Sequence, residues 1–156
     1  MAALSDFAEN KIIDFLFRGQ ALGITGASAA AGTGPTNIYV ALYTATPTDS
    51  TSGTEVTGGS YARVTVASSL ANWAGTQGAG TTTASSGNTG TTSNNNAITF
   101  PAPTANWGVI TGAALCDASS GGNILAYGAL TVNKTVNNGD AAPSFPAGSL
   151  TFQLDN

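Results

Sequence analysis

Few residues in this chain could carry out chemistry, and none of them forms a recognisable catalytic set. The sequence contains no histidine, so a serine or threonine nucleophile would need a lysine as its base, and the lysines are Lys11 and Lys134. Asp49 and Glu55 share one turn-rich segment, where turn formation is a better interpretation than the paired carboxylates of a glycosidase. The sequence therefore predicts no catalytic residue and no enzymatic activity.

Metal and cofactor sites have equally little support. Zinc sites need clusters of cysteine and histidine, whereas this chain has a single cysteine, Cys116. The glycine-rich run Gly26–Gly34 resembles a phosphate-binding loop only superficially, because it precedes a predicted strand instead of joining a strand to a helix. We predict no metal site and no cofactor.

The composition is that of a folded protein with an unusually neutral surface. Hydrophobic residues make up 42% of the chain and charged residues only 8%, against about 25% in an average domain. Four basic residues cannot form a patch for nucleic acid, and no apolar run is long enough for a membrane span. The lone Cys116 and the acidic N-terminal residues predict synthesis in a reducing cytoplasm without export.

One helix is predicted, from Ser5 to Arg18. Ser5 or Asp6 can cap its start, and Arg18 lies near its negative end. Its apolar surface is wider than one amphipathic stripe, which leaves two interpretations open. The helix packs only on its own domain, or it also docks on a neighbouring subunit. The candidate interface residues are Phe7, Ile12, Ile13, Phe15, Leu16 and Phe17.

Beyond a loop or linker at Gly19–Thr36, the apolar period changes from helical to alternating, which is typical of strands. The sequences DASSGGN and NNGD are candidate hairpin turns. We predict an antiparallel β-sandwich, jelly-roll or Ig-like, with a helical arm and linker at 1–36 and the β-domain at 37–156. The predicted strands are Asn37–Ala45, Ser60–Ala67, Asn96–Phe100, Gly108–Cys116, Asn123–Leu130, Thr131–Val136 and Ser149–Leu154.

A long neutral segment interrupts this pattern. No charged residue occurs between Arg63 and Asp117. Within this stretch, the neutral segment itself is Ala74–Asn95, which consists largely of Gly, Thr, Ser and Asn. We expect an exposed loop or β-excursion here, held at both ends by Trp73 and Trp107. Hydroxyls and amides can contact a neighbour without burying an unpaired charge, so the segment suits packing among copies of the same chain. The alternative is a solvated, floppy loop.

A succession of sequence blocks covers nearly the whole chain: LSDFAENKIIDFLFRGQ, YVALYTATP, GTEVTGGSYARV, TSNNNAITFPAPTANWGVITGAALCDASSGGNILAYGAL, TVNKTVNNGD and FPAGSLTFQLD. This order resembles that of small structural proteins of tailed bacteriophages, often described as phage tail-fibre proteins. The departures are ITGASAAAGTG and AGTQGAGTTTASSGNTGTT, which look like insertions into shorter loops. The resemblance implies a virion component, assembled in the host cytoplasm, without catalytic residues.

Three functions follow as expectations. The first is a homo-oligomeric surface subunit of the tail or tail fibre, whose partners are copies of itself and other virion proteins. The second is a capsid decoration protein bound to the major capsid protein. The third is a carbohydrate-binding module for host surface glycans, although aromatic residues on sandwich strands are more often core or interface. The aromatic residues considered for a sugar platform are Tyr39, Tyr43, Tyr61, Trp73, Trp107 and Tyr127.

Overall fold

The computed structural model describes residues 4–24, 34–78 and 83–154. Except for its last residue, the run Gly26–Gly34 lies outside these ranges, as do residues 79–82 of the neutral segment. The elements in chain order are α1 (Asp6–Phe17), β1 (Asn37–Ala45), β2 (Thr54–Glu55), β3 (Val64–Ala67), β4 (Thr91–Ser93), β5 (Ile98–Thr99), β6 (Gly108–Cys116), β7 (Ile124–Val136), β8 (Ser144–Phe145) and β9 (Thr151–Gln153).

The described chain is mainly β, with one helix near its N-terminus, as predicted. Its largest sheet has five strands in the order β2-β1-β6-β7, with β3 also paired to β1. The other sheets are the two-stranded pairs β4-β9 and β5-β8. The β1–β2, β1–β6, β6–β7 and β4–β9 pairs are all antiparallel, which confirms the predicted sheet type. Packing of the sheets as a sandwich stays a prediction.

The chain divides into two compact units. Unit 1 comprises Met1–Asn37, Ala67–Ile98 and Phe145–Asn156, and it contains the helix. Unit 2 comprises Ile38–Val66 and Thr99–Ser144. The helix thus shares a compact unit with much of the neutral segment and with the last strand.

In unit 1, helix α1 begins after the predicted N-cap, Ser5, and its C-cap is Arg18. The Ser5 hydroxyl accepts a hydrogen bond from the Ala8 amide at 3.4 Å, and the Arg18 amide donates to the Asp14 carbonyl. Ile13 and Phe17 on this helix are fully buried. The Phe17 ring centroid lies 5.0 Å from that of Trp73 and 4.9 Å from that of Phe152, so three distant segments meet in one aromatic cluster.

In unit 2, strands β1 and β6 match their predicted bounds at both ends. Ile38, Val40 and Leu42 of β1 are buried, as their alternation predicts. Tyr43 on the opposite face is buried as well, packed in a cluster with Cys116. Because β1 lies inside the sheet and is covered on both faces, these two strands form the core of the unit.

The two strands predicted at Asn123–Leu130 and Thr131–Val136 are one strand, β7. Where the two predicted strands meet, the register between β6 and β7 shifts, from the Ile110↔Lys134 pair to the Gly112↔Ala129 pair. Between these two pairs, β7 contains more residues than β6, so β7 has a bulge there. The predicted break therefore corresponds to a bulge within a continuous strand.

The two predicted turns have different outcomes. DASSGGN joins the antiparallel strands β6 and β7, so it is the predicted hairpin connection, and the Asp117 amide donates to the Asn123 carbonyl at 3.1 Å. NNGD is a turn, with the Asn137 amide donating to the Asp140 carboxylate at 2.7 Å. It leads away from β7 toward β8, whose partner is β5, so the hairpin interpretation of NNGD is wrong.

Candidate functional site

The six candidate interface residues of helix α1 lie in different environments. Ile13 and Phe17 belong to the core of unit 1, which leaves them no surface to offer a partner. Ile12, Phe15 and Leu16 are half-buried. Phe7 is 58% exposed, and the neighbouring Leu4 is exposed too. One face of the helix therefore packs within its own unit, and the exposed apolar surface is concentrated at its first turn.

Beside Ile13 and Phe17, the buried polar residues Asp14 and Arg18 hold the neutral segment through an ion pair. Arg18 Nη1 lies 2.6 Å from Asp14 Oδ1, and the Arg18 side chain has no solvent exposure. The same guanidinium donates to the Thr83 carbonyl at 2.5 Å and to the Trp73 carbonyl at 3.3 Å. The Asp14 carboxylate accepts hydrogen bonds from the Ser85 amide at 2.9 Å and its hydroxyl at 2.6 Å. Both charges are thus satisfied by the segment they fix in place.

A second set of hydrogen bonds between the helix and the neutral segment lies one helical turn earlier; the two sets are the clamps of unit 1. The Asn10 amide donates to the Gly87 carbonyl at 2.9 Å and accepts from the Thr76 hydroxyl at 2.5 Å. The Thr76 hydroxyl in turn accepts from the Gly87 amide at 2.8 Å. Further along, Thr92 in β4 is buried and donates to the Ala74 carbonyl at 2.7 Å. The described parts of the neutral segment are therefore less exposed than expected, because their hydroxyls bond to unit 1 itself.

The six aromatic residues considered for a sugar platform do not form one in the described structure. Tyr43, Trp73 and Trp107 are buried core residues. Tyr61 is half-buried, with its hydroxyl 3.0 Å from Glu55 Oε1 and 2.9 Å from the Leu42 amide. Tyr39 is also half-buried and packs against the cluster around Cys116. Tyr127 alone among the six presents a large exposed surface, 41% of its maximum.

Glu55 lies in strand β2 and not in an exposed turn, which corrects the sequence interpretation. The Arg63 guanidinium binds its carboxylate in bidentate fashion, at 2.8 Å and 2.7 Å. The same guanidinium donates to the Ala118 carbonyl at 2.7 Å and the Gly121 carbonyl at 2.9 Å. Burial opposes ionisation of Glu55, but the hydrogen bonds from Arg63 and Tyr61 outweigh it and lower the pKa of this carboxyl. The cluster ties β2 to the β6–β7 turn.

The single thiol lies beside this cluster and has no feature of a reactive cysteine. Cys116 is fully buried. Burial raises its pKa, so the protonated and less nucleophilic form persists at neutral pH. Burial also raises the pKa of the adjacent Tyr43 to about 12. Both groups are therefore neutral members of the core.

Strand β7 presents the most apolar accessible surface of unit 2. It is the terminal strand of its sheet, and nearly all its residues are exposed or half-buried. Val132 is 78% exposed, and Leu125 and Tyr127 on the same strand and Val109 on β6 are also exposed. The only charged residue of β7 is Lys134. A long, nearly neutral edge strand with apolar side chains can accept another strand.

A groove of about 630 Å³ lies between the turn at 48–52 and residues 122–127 of the hairpin. Asp49 is exposed in a turn, as predicted, and its carboxylate accepts a hydrogen bond from the Tyr127 hydroxyl. This hydrogen bond raises the pKa of Tyr127. Within the turn, the Thr48 hydroxyl lies 2.9 Å from that of Thr51 and accepts from the Thr51 amide at 3.1 Å. The groove thus joins an aromatic ring, a carboxylate and several hydroxyls.

Sequence reasoning missed both the clamps in unit 1 and the groove in unit 2. Asp14 and Ser85, like Asp49 and Tyr127, are far apart in the chain, so no local spacing links them. The only available signal was the unusual richness of the turn around Asp49 in hydroxyl side chains.

Within the ranges that the structure describes, no group of three or more His, Cys, Asp or Glu side chains is placed to hold a metal ion. In the same ranges, no helix has the length and apolar character needed to cross a bilayer.

Comparison with known proteins gives one family. The sequence model of the family described as podophage GP4 fiber I protein gp80 matches residues 3–153 of the chain. No curated protein matches the chain.

Proposed function

Since this chain belongs to the podophage GP4 fiber I protein family and is thereby a phage virion component, we propose that it is a homo-oligomeric, non-enzymatic subunit of the tail fibre. The observation that carries the oligomeric part is the edge of β7. A strand at the end of a sheet has backbone N–H and C=O groups that pair readily with another chain.

The residues of β7 favour a copy of the same chain as the partner. Natural edge strands usually resist pairing through charged side chains, but β7 has only Lys134. Its exposed Val132 would be shielded from water by a partner, a gain of about 25 cal/mol for each Å² of apolar surface buried. Identical nearly neutral surfaces do not repel one another, so copies can associate through this strand.

The absence of enzymatic activity is supported by the contacts of Asp49 and Glu55, the two carboxylates considered for glycosidase chemistry. Glu55 is engaged by Arg63 and Tyr61, and its lowered pKa makes it a poor general acid. Asp49 bonds to Tyr127, whose phenol stays protonated at neutral pH. Neither carboxylate has the environment of a catalytic acid or base.

The first turn of α1 and the nearby Leu4 are the proposed contact surface for another virion protein. Phe7 and Leu4 are exposed there, and Lys11 Nζ lies 5.8 Å from the centre of the Phe7 ring. We place assembly in the host cytoplasm, which agrees with a free and buried Cys116.

The oligomeric part is tested by adding one charge to the edge strand. Val132→Lys should shift the protein toward the monomer in sedimentation equilibrium, because a partner cannot cover the ammonium group without desolvating it. Thr65→Lys is the matched control, since Thr65 is an exposed residue of β3 and receives the same charge. An unchanged association constant in Val132→Lys, or a monomeric wild-type protein, would contradict the proposal.

Position on the particle is tested with purified virions. Antibody labelling should mark the tail, and quantitative mass spectrometry should give a low copy number. Labelling spread over the head, with a copy number that follows the major capsid protein, would support capsid decoration instead. In the same preparations, Phe7→Ser should lower the copy number without changing the melting temperature of the free protein.

A further inference from the structure

We propose that the groove between the turn at 48–52 and the hairpin at 122–127 binds a neutral sugar residue of a glycan. This inference goes beyond the structural role and does not depend on it. The groove volume of about 630 Å³ falls within the range of roughly 300–1,000 Å³ that is typical of small-molecule sites.

The lining of the groove has the chemical groups that a sugar requires. Sugars combine many hydroxyls with apolar C–H faces, so their sites pair hydrogen-bonding side chains with an aromatic ring. Here the hydroxyls come from Thr48, Ser50, Thr51 and Ser52, the carboxylate from Asp49, and the ring from Tyr127. Leu125 and Ile124 add aliphatic surface beside the ring.

Asp49 can bind a ligand while it holds Tyr127. An ionised carboxylate has about four lone-pair sites, and the Tyr127 hydroxyl takes one of them. The remaining sites can accept hydrogen bonds from a ligand, and bonds to a charged acceptor are about twice as strong as bonds between neutral groups. Hydroxyls of a sugar are donors of this kind.

The walls of the groove are held in place by their own hydrogen bonds. The Thr48 amide donates to the Thr51 carbonyl at 2.9 Å, and the Thr51 amide donates to the Thr48 carbonyl at 3.2 Å. On the other wall, Asn123 is fixed by Asp117, whose carboxylate oxygens accept from its amide and side chain, both at 2.7 Å. Fixed walls reduce the ordering cost of binding.

The electrostatics favour a neutral ligand over an anionic one. None of the residues that line the groove is basic, and Asp49 is acidic. A phosphate or carboxylate would therefore be repelled without any compensating ion pair. An extended peptide is less well suited, because the lining offers side-chain hydroxyls in a turn and only a short stretch of strand backbone.

The test uses the full chain and a panel of free neutral sugars: glucose, galactose, mannose and N-acetylglucosamine. Saturation-transfer NMR should detect binding of at least one of them, and inorganic phosphate, followed by phosphorus NMR, should not bind. Tyr127→Ala and Asp49→Asn should each weaken the affinity at least fivefold. Tyr127→Phe keeps the ring but loses the hydrogen bond to Asp49, so its affinity should lie between those of the wild type and Tyr127→Ala.

The control is Asn133→Ala, an exposed residue of the same strand outside the groove, which should keep the wild-type affinity. Melting curves and sedimentation are recorded for every variant. No binding by any sugar, or equal binding by the groove variants, would overturn the inference. A change of oligomeric state in Tyr127→Ala without sugar binding would make the groove a subunit contact and also overturn it. Loss of sugar binding in an intact oligomer leaves the structural proposal standing.

Discussion

Arg18 is the residue whose role in the structure differs most from the role that the sequence predicts for it. In the sequence it is a cation that complements the negative end of a helix. In the structure it is fully buried, bonded to Asp14 on its own helix and to the carbonyls of Thr83 and Trp73. The sequence predicts only a modest interaction with the helix dipole, whereas in the structure this guanidinium holds the neutral segment against the helix.

Replacement of this clamp should be costly. Arg18→Met removes the partner of a buried carboxylate, Asp14, so we expect the free energy of unfolding to fall by about 3–5 kcal/mol. Lys11→Met removes a positive charge from a less buried site of the same helix and should change it by about 0.5 kcal/mol or less. Urea unfolding of both variants measures the difference, and equal effects would mean that burial of the charge is unimportant.

Glu55 should make stability depend on pH. Its pKa in the folded protein lies below the unfolded value of about 4.3, so between the two values the unfolded chain binds more protons. The stabilising contribution is therefore complete above that window and is lost as the pH falls through the folded pKa. In Glu55→Gln this contribution is absent. Urea unfolding from pH 7 to pH 3 should show the two proteins converging in stability, and a constant difference would contradict the assignment.

At the scale of elements, helix α1 and strands β1 and β6 were predicted closely, whereas the longest strand, β7, was predicted as two and three very short strands were missed. The nine-residue strands β1 and β6 combine apolar alternation with flanking turns, and helix α1 combines apolar spacing with a capping serine. Strands β2, β4 and β8 have two or three residues, too few to show a period. Their ladders are completed by other strands, the preceding β1 for β2 and the distant β9 and β5 for β4 and β8, and the local sequence pattern does not record these partners.

The paired strands β6 and β7 contain two glycines that should respond differently to alanine. A Cβ atom at Gly112 would lie 2.3 Å from Thr46 Oγ1 and 2.8 Å from the Gly128 carbonyl oxygen, so Gly112→Ala should destabilise by about 1–3 kcal/mol. A Cβ atom at Gly128 would meet nothing within 4 Å. Gly128→Ala should therefore be neutral or stabilising by up to about 1 kcal/mol. Thermal melts of both variants decide this, and the reverse order would refute the packing of the hairpin.

For the whole molecule, the scarcity of charge has a measurable consequence. Of the four basic residues, Arg18 and Arg63 are held in ion pairs, so Lys11 and Lys134 are the basic side chains left to attract acidic groups of another copy. Contacts between copies should therefore depend little on screening. We expect the association constant from sedimentation equilibrium to change less than about threefold between roughly 50 mM and 500 mM NaCl. A steep fall with salt would point to an electrostatic interface and away from β7.

The candidate site could be anticipated only in its components. The neutral segment and the hydroxyl-rich turn were visible in the sequence as composition. Their partners, Asp14 for Ser85 and Tyr127 for Asp49, were brought to them by folding over many residues. Proximity of this kind depends on topology, which local patterns do not determine.

The aromatic cluster of unit 1 can be completed only late in the synthesis of the chain. Phe17 emerges early from the ribosome, whereas its neighbour Phe152 follows after nearly the whole chain has been made. At about 5–20 residues per second, roughly ten seconds separate the two. The segments of unit 2 lie entirely between them. Trp73 is made much earlier than Phe152, so the part of the Phe17 surface that is covered last during synthesis is the part that Phe152 contacts.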